Sequence, residues 1–328
     1  MKKMINVLFL LSVLIVSACS ENTGAESNVV LQVGHVYPAD SIPDKVIQEF
    51  NKIITEKTDG RITADIYPAG QMGDDPELQE AVQLGSTDII ITGSSLIDNF
   101  APEYGIVGAP YVFRDWDHID KALNGELGEE MNQAVLDNSG VQIIGISQRG
   151  ARNLTANEEI KTPSDMEGFK LRTPNNEQQL AVWGEIGANP TPLDWGEVYT
   201  SLQQGVIAGQ ENPLDLIHSA NLAEVQDYLM ITQHLVNPYW YAMNNERLQS
   251  LSEEDRKIVL EAMDEATAMG TSEGIASEEE LLQLLEDAGM TIVEPDVEAF
   301  QIAAQEGHKI LLEDGVNIEF YEKLINLQ

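Results

Sequence analysis

The sequence contains little cysteine and few basic residues. Its 328 residues include one cysteine, which excludes a disulfide framework and every metal site built from several cysteines. Lysine and arginine together number 18, against 55 aspartate and glutamate residues, so the formal net charge is -37. A protein of that charge repels nucleic-acid phosphates and anionic lipid headgroups. We therefore expect no nucleic-acid partner.

The sequence also lacks the common motifs of nucleotide-binding and metal-dependent proteins. It has no P-loop, no G-x-G-x-x-G after a strand, no H-E-x-x-H and no EF-hand loop. One formal match remains, because residues 270–274 read G-T-S-E-G and fit the nucleophile elbow of hydrolases. That elbow requires a buried strand before the serine, whereas residues 261–269 have the pattern of an acidic amphipathic helix. We therefore expect no nucleophilic Ser272 and no metal or cofactor site.

The N-terminus has the pattern of an export signal. Two lysines near the start precede an apolar run over residues 7–16 and then two small residues. The run is too short to span a bilayer stably. Cys19 follows directly and resembles the lipidated cysteine of bacterial lipoproteins, the alternative being an ordinary secretory signal with an incidental cysteine. We predict a signal peptide over 1–18, a lipidated tether over 19–28, and an extracytoplasmic protein anchored to the membrane through Cys19.

The remaining chain alternates short apolar runs with amphipathic stretches, each bounded by Gly, Pro or Asn. This alternation predicts an α/β fold. The chain of 328 residues is longer than a single hydrophobic core usually accommodates, which predicts more than one domain. The pattern starts again after Gly150, which favours two lobes. Residues 251–285 contain few helix breakers and predict one helix long enough to run along both lobes.

Positive charge is concentrated in one window of the chain. Residues 149–172 hold five basic residues, and no Lys or Arg occurs from 173 to 246. Within this window Arg172 belongs to an alternating F-K-L-R-T segment that predicts a strand ended by Pro174. Open α/β sheets bind ligands at the carboxyl ends of strands, and the Arg fork matches a carboxylate. The alternative is that Arg172 pairs with a neighbouring acid.

Two further segments contain candidate binding residues. Asp194 and Glu197 have the spacing of a capping box, which predicts a helix from Trp195. Trp195 then either covers an apolar ligand face or belongs to the core. Asn212 precedes Pro213, which favours an extended backbone with the amide free for hydrogen bonding, or alternatively a turn.

Taken together, these segments resemble the solute-binding proteins of tripartite ATP-independent periplasmic (TRAP) transporters, DctP type. The segments that carry the resemblance are R-G-A-R-N-L-T (149–155), T-P-S-D-M-E-G-F-K-L-R-T-P-N (162–175), G-A-N-P-T-P-L-D-W-G-E-V-Y-T-S-L-Q-Q-G (187–205) and G-Q-E-N-P-L (209–214), with residues 70–75 and 83–88 in support. The resemblance implies a two-lobed periplasmic-binding-protein-like α/β fold (type II-like) with crossing strands and a long lobe-spanning helix. It also implies one acidic solute, bound by hinge closure, and a membrane permease as partner.

The expected lobe boundaries follow from this fold. Lobe I is predicted over 29–149 plus 238–277, and lobe II over 150–237 plus 278–328. The hinges are expected where the chain passes between the lobes, near 148–150 and 237–239.

The resemblance also implies the binding residues. Arg172 matches the arginine that clamps the carboxylate, Arg152 the second arginine of the site, and Trp195 the aromatic wall. The predicted solute-binding set is Arg172, Arg152, Asn212, Asn175, Trp195, Asp75, Ser94, Tyr239 and His35.

The choice of solute depends on departures from the family pattern. Sialic-acid binders carry an acid just before the serine of the first lobe, where this chain has Gly93. Polar residues 175–177 with aromatic neighbours suit a hydroxylated sugar acid, such as a uronate or aldonate. A C4-dicarboxylate or sialate is the alternative. We expect a binding protein without catalytic activity. The alternative from another functional class is an extracytoplasmic lyase or hydrolase that uses Asp75 and Glu211 as acid and base. A structural lipoprotein is a third and weaker alternative.

Overall fold

The computed structural model describes residues 28–93 and 95–327. The predicted signal peptide, Cys19 and the predicted binding residue Ser94 lie outside these residues. None of the helices within the described range has the length and hydropathy needed to cross a membrane.

Described strands form one sheet in the order β2-β1-β3-β8-β4-β7-β5-β6, with β9 beside β8. The strands are β1 (Val29–His35), β2 (Ile62–Tyr67), β3 (Ile89–Thr92), β4 (Val141–Ala156), β5 (Leu171–Thr173), β6 (Thr191–Pro192), β7 (Gly209–Pro213), β8 (Tyr228–Asn244) and β9 (Thr291–Val293). The antiparallel strands β4 and β8 are 16 and 17 residues long, and they pair from Val141 with Asn244 to Ala156 with Tyr228. Both strands cross from one half of the sheet to the other, so the predicted α/β fold with two lobes and crossing strands is confirmed.

Helices flank both halves of the sheet. They are α1 (Ile42–Lys57), α2 (Asp75–Leu84), α3 (Ser95–Phe100), α4 (Trp116–Leu123), α5 (Glu126–Ser139), α6 (Glu177–Ile186), α7 (Val198–Gln203), α8 (Leu214–Ser219), α9 (Asn245–Ser250), α10 (Glu253–Asp287), α11 (Val297–Glu313) and α12 (Ile318–Asn326). The predicted long helix corresponds to α10, which has 35 residues and is therefore about 50 Å long.

The G-T-S-E-G segment lies inside α10, with helix on both sides and no preceding strand, so the nucleophile-elbow geometry is absent there. Its first glycine serves packing instead. A Cβ at Gly270 would lie 2.2 Å from Val46 Cγ2, so only glycine lets α1 approach this closely. A Cβ at Gly274 would meet Gln148 O at 3.6 Å, an ordinary contact.

The pairing of β4 with β8 is interrupted about midway along β4. Its register shifts between Gln148 and Ala151, and Gly150 has a φ of 78°, a left-handed backbone that favours glycine. Pro238 on β8 faces Gln148 at this irregularity and donates no hydrogen bond to the ladder. The irregularity coincides with the two predicted hinge segments.

Candidate functional site

Two connected cavities lie between the halves of the sheet. The outer one is about 300 Å³ and the inner one about 30 Å³, and both are lined by Asp75, Ser95, Arg172, Pro174 and Trp195. Arg172 is the middle residue of β5. The cavities therefore lie near the carboxyl end of that strand, as expected for open α/β sheets.

Arg172 is buried and held by backbone. Its Nε donates to Leu193 O at 2.8 Å, its Nη2 donates to the same oxygen, and its guanidinium carbon lies 5.9 Å from the centre of the Trp195 ring. Burial lowers the pKa of Arg172 to about 10, so the side chain stays charged at neutral pH. Within residues 28–93 and 95–327 its guanidinium bonds to this backbone oxygen and forms no ion pair with a carboxylate.

Arg152 has a buried counterion. Its Nη2 donates to Glu211 Oε1 at 2.6 Å, and its Nε donates to Glu211 Oε2. His234 Nε2 lies 2.9 Å from the same Oε2, and all three side chains are enclosed. Although burial acts to raise it, the charge of Arg152 and these hydrogen bonds lower the pKa of Glu211 to about 2. Arg152 Nη1 has no hydrogen-bond partner among the described residues, so Arg152 presents one donor at the inner cavity.

Asp75 stands at the first position of α2, behind the N-cap residue Asp74. Its Oδ1 accepts a hydrogen bond from Thr92 Oγ1 at 3.0 Å. Burial raises the pKa of Asp75 to about 6, against the opposing effects of Thr92 and the Arg149 charge. At neutral pH the side chain is therefore mostly ionised and can accept hydrogen bonds.

The two predicted asparagines lie in different parts of the cleft. Asn175 lines the outer cavity and Asn212 the inner one. Asn212 is extended within β7, so the turn alternative is wrong. Its Nδ2 donates to Gln210 Oε1 at 2.6 Å.

Trp195 lines both cavities, as the cleft interpretation predicts. A 3₁₀ turn begins there and leads into α7. Asp194 makes no capping hydrogen bond, so the capping-box prediction is wrong. The turn is closed by backbone instead, because the Glu197 N–H donates to Asp194 O at 3.1 Å.

Tyr239 and His35 lie behind the cavity walls. The Tyr239 hydroxyl donates to Asp215 Oδ2 at 2.9 Å, and His35 Nε2 lies 3.1 Å from Asp44 Oδ1. Both side chains are fully buried, and neither lines the two cavities. The structure therefore brings six of the nine predicted residues to the cavities, with Ser94 outside the described residues.

Arg149 and Tyr37 are among the residues of the inner cavity that sequence reasoning missed. The sequence places Arg149 in the basic window and in the R-G-A-R-N-L-T segment, without assigning it to the binding set. Its position three residues before Arg152, across the Gly150 bulge, is what brings both guanidinium groups to one cavity. For Tyr37 the sequence offers no signal beyond its position two residues after β1.

Contacts also cross the mouth of the cleft. The Gly196 N–H donates to Asp74 Oδ2 at 3.2 Å, and Asn176 Nδ2 donates to Asp98 Oδ2. These bonds join residues on opposite sides of the cavities. No cluster of His, Cys, Asp and Glu suited to a metal ion occurs in the described part of the chain.

Comparison with known proteins gives consistent matches. The family model for bacterial extracellular solute-binding proteins, family 7 (DctP), matches residues 33–314. A solute-binding protein of Roseobacter denitrificans is 37% identical over 299 residues, covering 90% of this chain and 91% of the relative.

Two solved structures extend the match to three dimensions. A TRAP periplasmic solute-binding protein from Roseobacter denitrificans, with bound L-galactonate, has a TM-score of 0.86 and 36% identity, covering 92% of this chain and 99% of its own. Another from a Sulfitobacter species, with bound β-D-galacturonate, has a TM-score of 0.85 and 27% identity, covering 91% and 98%. The chain therefore belongs to family 7 of the bacterial extracellular solute-binding proteins and is a TRAP transporter solute-binding protein.

Proposed function

We propose that the protein captures a sugar acid with one carboxylate, such as an aldonate or a uronate, outside the cell membrane. The observation that carries the proposal is that the cleft contains a small inner cavity and a larger outer cavity. Arg172 offers its charge beside the small inner cavity, and the outer cavity has room for a hydroxylated chain of several carbons. The sugar acids bound by the Roseobacter and Sulfitobacter proteins support this assignment.

The lining of the outer cavity favours hydroxyl groups over a second acid. It contains the carboxylates of Asp74, Asp75, Glu80 and Asp194. Burial and the neighbouring acids raise the pKa of Asp194, which indicates local crowding of negative charge. A second ligand carboxylate placed there is repelled, whereas hydroxyl groups donate to these oxygens and sugar C–H groups pack on Trp195. We therefore favour a sugar acid over a C4-dicarboxylate, and over sialate because of Gly93.

We further propose that the bound solute is not chemically changed. The rival enzyme needs Asp75 and Glu211 as an acid and base pair. Glu211 is fully enclosed, bonded to Arg152 and His234, and has a pKa of about 2. A group in that state neither exchanges protons near neutral pH nor reaches a substrate.

Hinge closure is part of the proposal. With the lobes at 29–149 plus 238–277 and 150–237 plus 278–328, Asp75 lies on lobe I, and Arg152, Arg172, Asn175 and Asn212 lie on lobe II. A solute bound by both sets favours the closed arrangement by its extra contacts there. The bonds from Asn176 to Asp98 and from Gly196 to Asp74 support a cleft that closes in this way. The closed complex then delivers its solute to the TRAP permease.

The test is a thermal-shift panel of aldonates, uronates, dicarboxylates and sialate. L-Galactonate or β-D-galacturonate is expected to raise the melting temperature most, since ligand at 100 times Kd adds about 2.7 kcal/mol to the unfolding free energy. Small-angle scattering with the same solute is expected to show a smaller radius of gyration. The solute should be recovered unchanged by NMR after prolonged incubation. If only a dicarboxylate raises the melting temperature, the proposed sugar-acid solute is wrong. If the solute is chemically converted during the incubation, the protein is not a pure binder.

We propose that Cys19 carries a lipid anchor, supported by the lysines, the apolar run and the small residues that precede it. Cys19→Ser is expected to move the protein from the membrane fraction to the soluble fraction of cells expressing the full chain. Ser17→Thr, which leaves the cysteine in place, serves as the control. Equal membrane retention of wild type and Cys19→Ser contradicts the anchor.

A further inference from the structure

Arg149 is a buried cation at the inner end of the cleft. It lies on β4 directly before the Gly150 bulge, with 7% of its surface exposed. Its guanidinium carbon lies 5.1 Å from the Tyr239 ring centre and 5.7 Å from the Tyr37 ring centre, and these rings meet edge to face at 5.0 Å. The two aromatic rings therefore hold the guanidinium without neutralising it.

The hydrogen bonding of Arg149 is incomplete. Among the described residues its Nε has no hydrogen-bond partner, and its guanidinium makes one long contact, from Nη2 to Asn212 Oδ1 at 3.5 Å. It forms no ion pair with a carboxylate in the described residues. Asp215 and Glu211 are the nearby acids, but Asp215 accepts the Tyr239 hydroxyl and Glu211 pairs with Arg152. Burying a charge without a counterion is costly, so the site is suited to an anionic ligand.

Gly93 makes room for this guanidinium. A Cβ at position 93 would lie 2.4 Å from Arg149 Nη1 and 3.4 Å from the Tyr37 hydroxyl. Any side chain there displaces Arg149 from its place. The observed position of the Arg149 guanidinium therefore requires glycine at position 93. Gly93 lines the same inner cavity as Arg149.

The inner cavity has the size of one carboxylate group. Its volume is about 30 Å³, and one water-sized group needs roughly 10–15 Å³, so it holds about two oxygen-sized groups. Arg149, Arg152 and Arg172 all line it. Among the described residues, Arg152 pairs with Glu211, whereas Arg149 and Arg172 form no ion pair with a carboxylate.

We propose that Arg149 binds the solute carboxylate directly, together with Arg172, and that Gly93 is the specificity-determining position that admits it. This inference rests on the proposed capture of a sugar acid. Two guanidinium groups on one carboxylate select strongly for an acid over its uncharged analogue. The polar chain of the solute then extends into the outer cavity.

The experiment compares calorimetric affinities for L-galactonate and L-galactonamide in the wild type, Arg149→Met and Gly93→Ala. Arg149→Met is expected to bind L-galactonate at least tenfold more weakly and to reduce the acid-to-amide affinity ratio by a similar factor. Gly93→Ala is expected to weaken binding in the same way, because the added methyl group displaces the guanidinium. The double variant should be no weaker than Arg149→Met alone, since both changes remove one interaction.

Lys161→Met is the matched control, because it removes the same charge from an exposed side chain, and it should leave both affinities unchanged. A merely structural Arg149 would lower the melting temperature without solute and weaken acid and amide equally, which overturns the inference. Additive losses in the double variant also overturn it. If the wild type binds another acid of the panel but not L-galactonate, the choice of solute is contradicted and the role of Arg149 is not. The same variants are then compared with that acid and its amide.

Discussion

Arg172→Lys is expected to weaken binding of L-galactonate at least tenfold, although it preserves the positive charge. Arg172 donates from Nε and Nη2 to Leu193 O, and in the proposed complex its guanidinium also binds the solute carboxylate. A lysine has one nitrogen, which cannot hold the backbone oxygen and the carboxylate in the same fixed geometry. A charge-assisted hydrogen bond to the carboxylate contributes about 1.5–3 kcal/mol, and 1.4 kcal/mol corresponds to a tenfold change in Kd.

The matched control for this prediction is Lys170→Arg, the reverse exchange at an exposed position two residues earlier. Calorimetry should give wild-type affinity for the control and a loss only for Arg172→Lys, with equal melting temperatures in the absence of solute. Wild-type affinity in Arg172→Lys would reject Arg172 as the carboxylate clamp. A lower melting temperature without solute would assign the loss to the fold instead.

Elements with local signals could be predicted from the sequence. The long helix over 251–285 is predicted from a segment with few helix breakers, and the structure places it at Glu253–Asp287. The strand that carries Arg172 alternates in the sequence and forms β5. The family resemblance then supplied the two lobes and most of the cleft.

What the sequence left undetermined depends on contacts between distant residues. The position of β7 at Gly209–Pro213 is one example, because this strand pairs with β4 along its whole length and with β5 at its start. The buried pair of Arg152 with Glu211 joins residues 59 apart in the chain. In a chain with 55 acidic residues, composition gives no means of choosing that partner. The role proposed for Arg149 depends on such a contact too, since Gly93 approaches it only in the folded protein.

Glu211→Gln is expected to lower the free energy of unfolding by about 3–5 kcal/mol at pH 7. The change keeps the size of the side chain but leaves Arg152 charged, buried and without its counterion. Urea denaturation measures the difference. Glu306→Gln is the control, because it breaks an exposed ion pair with Lys309, and such pairs contribute about 0–1 kcal/mol. The double variant Arg152→Met/Glu211→Leu should recover much of the loss, since it removes both buried charges.

The pH dependence of that difference tests the charge itself. The folded-state pKa of Glu211 is about 2, below its ordinary value of 4.5, so folding favours the ionised form. Its contribution, on the order of 3 kcal/mol, is therefore fully present above pH 4.5 and is lost as pH falls toward 2. The gap in unfolding free energy between wild type and Glu211→Gln should narrow steadily between pH 5 and pH 3. A gap that stays constant over this interval would show that Glu211 is not an ionised partner of Arg152, and the second arginine of the cleft would then carry an unneutralised charge beside the solute.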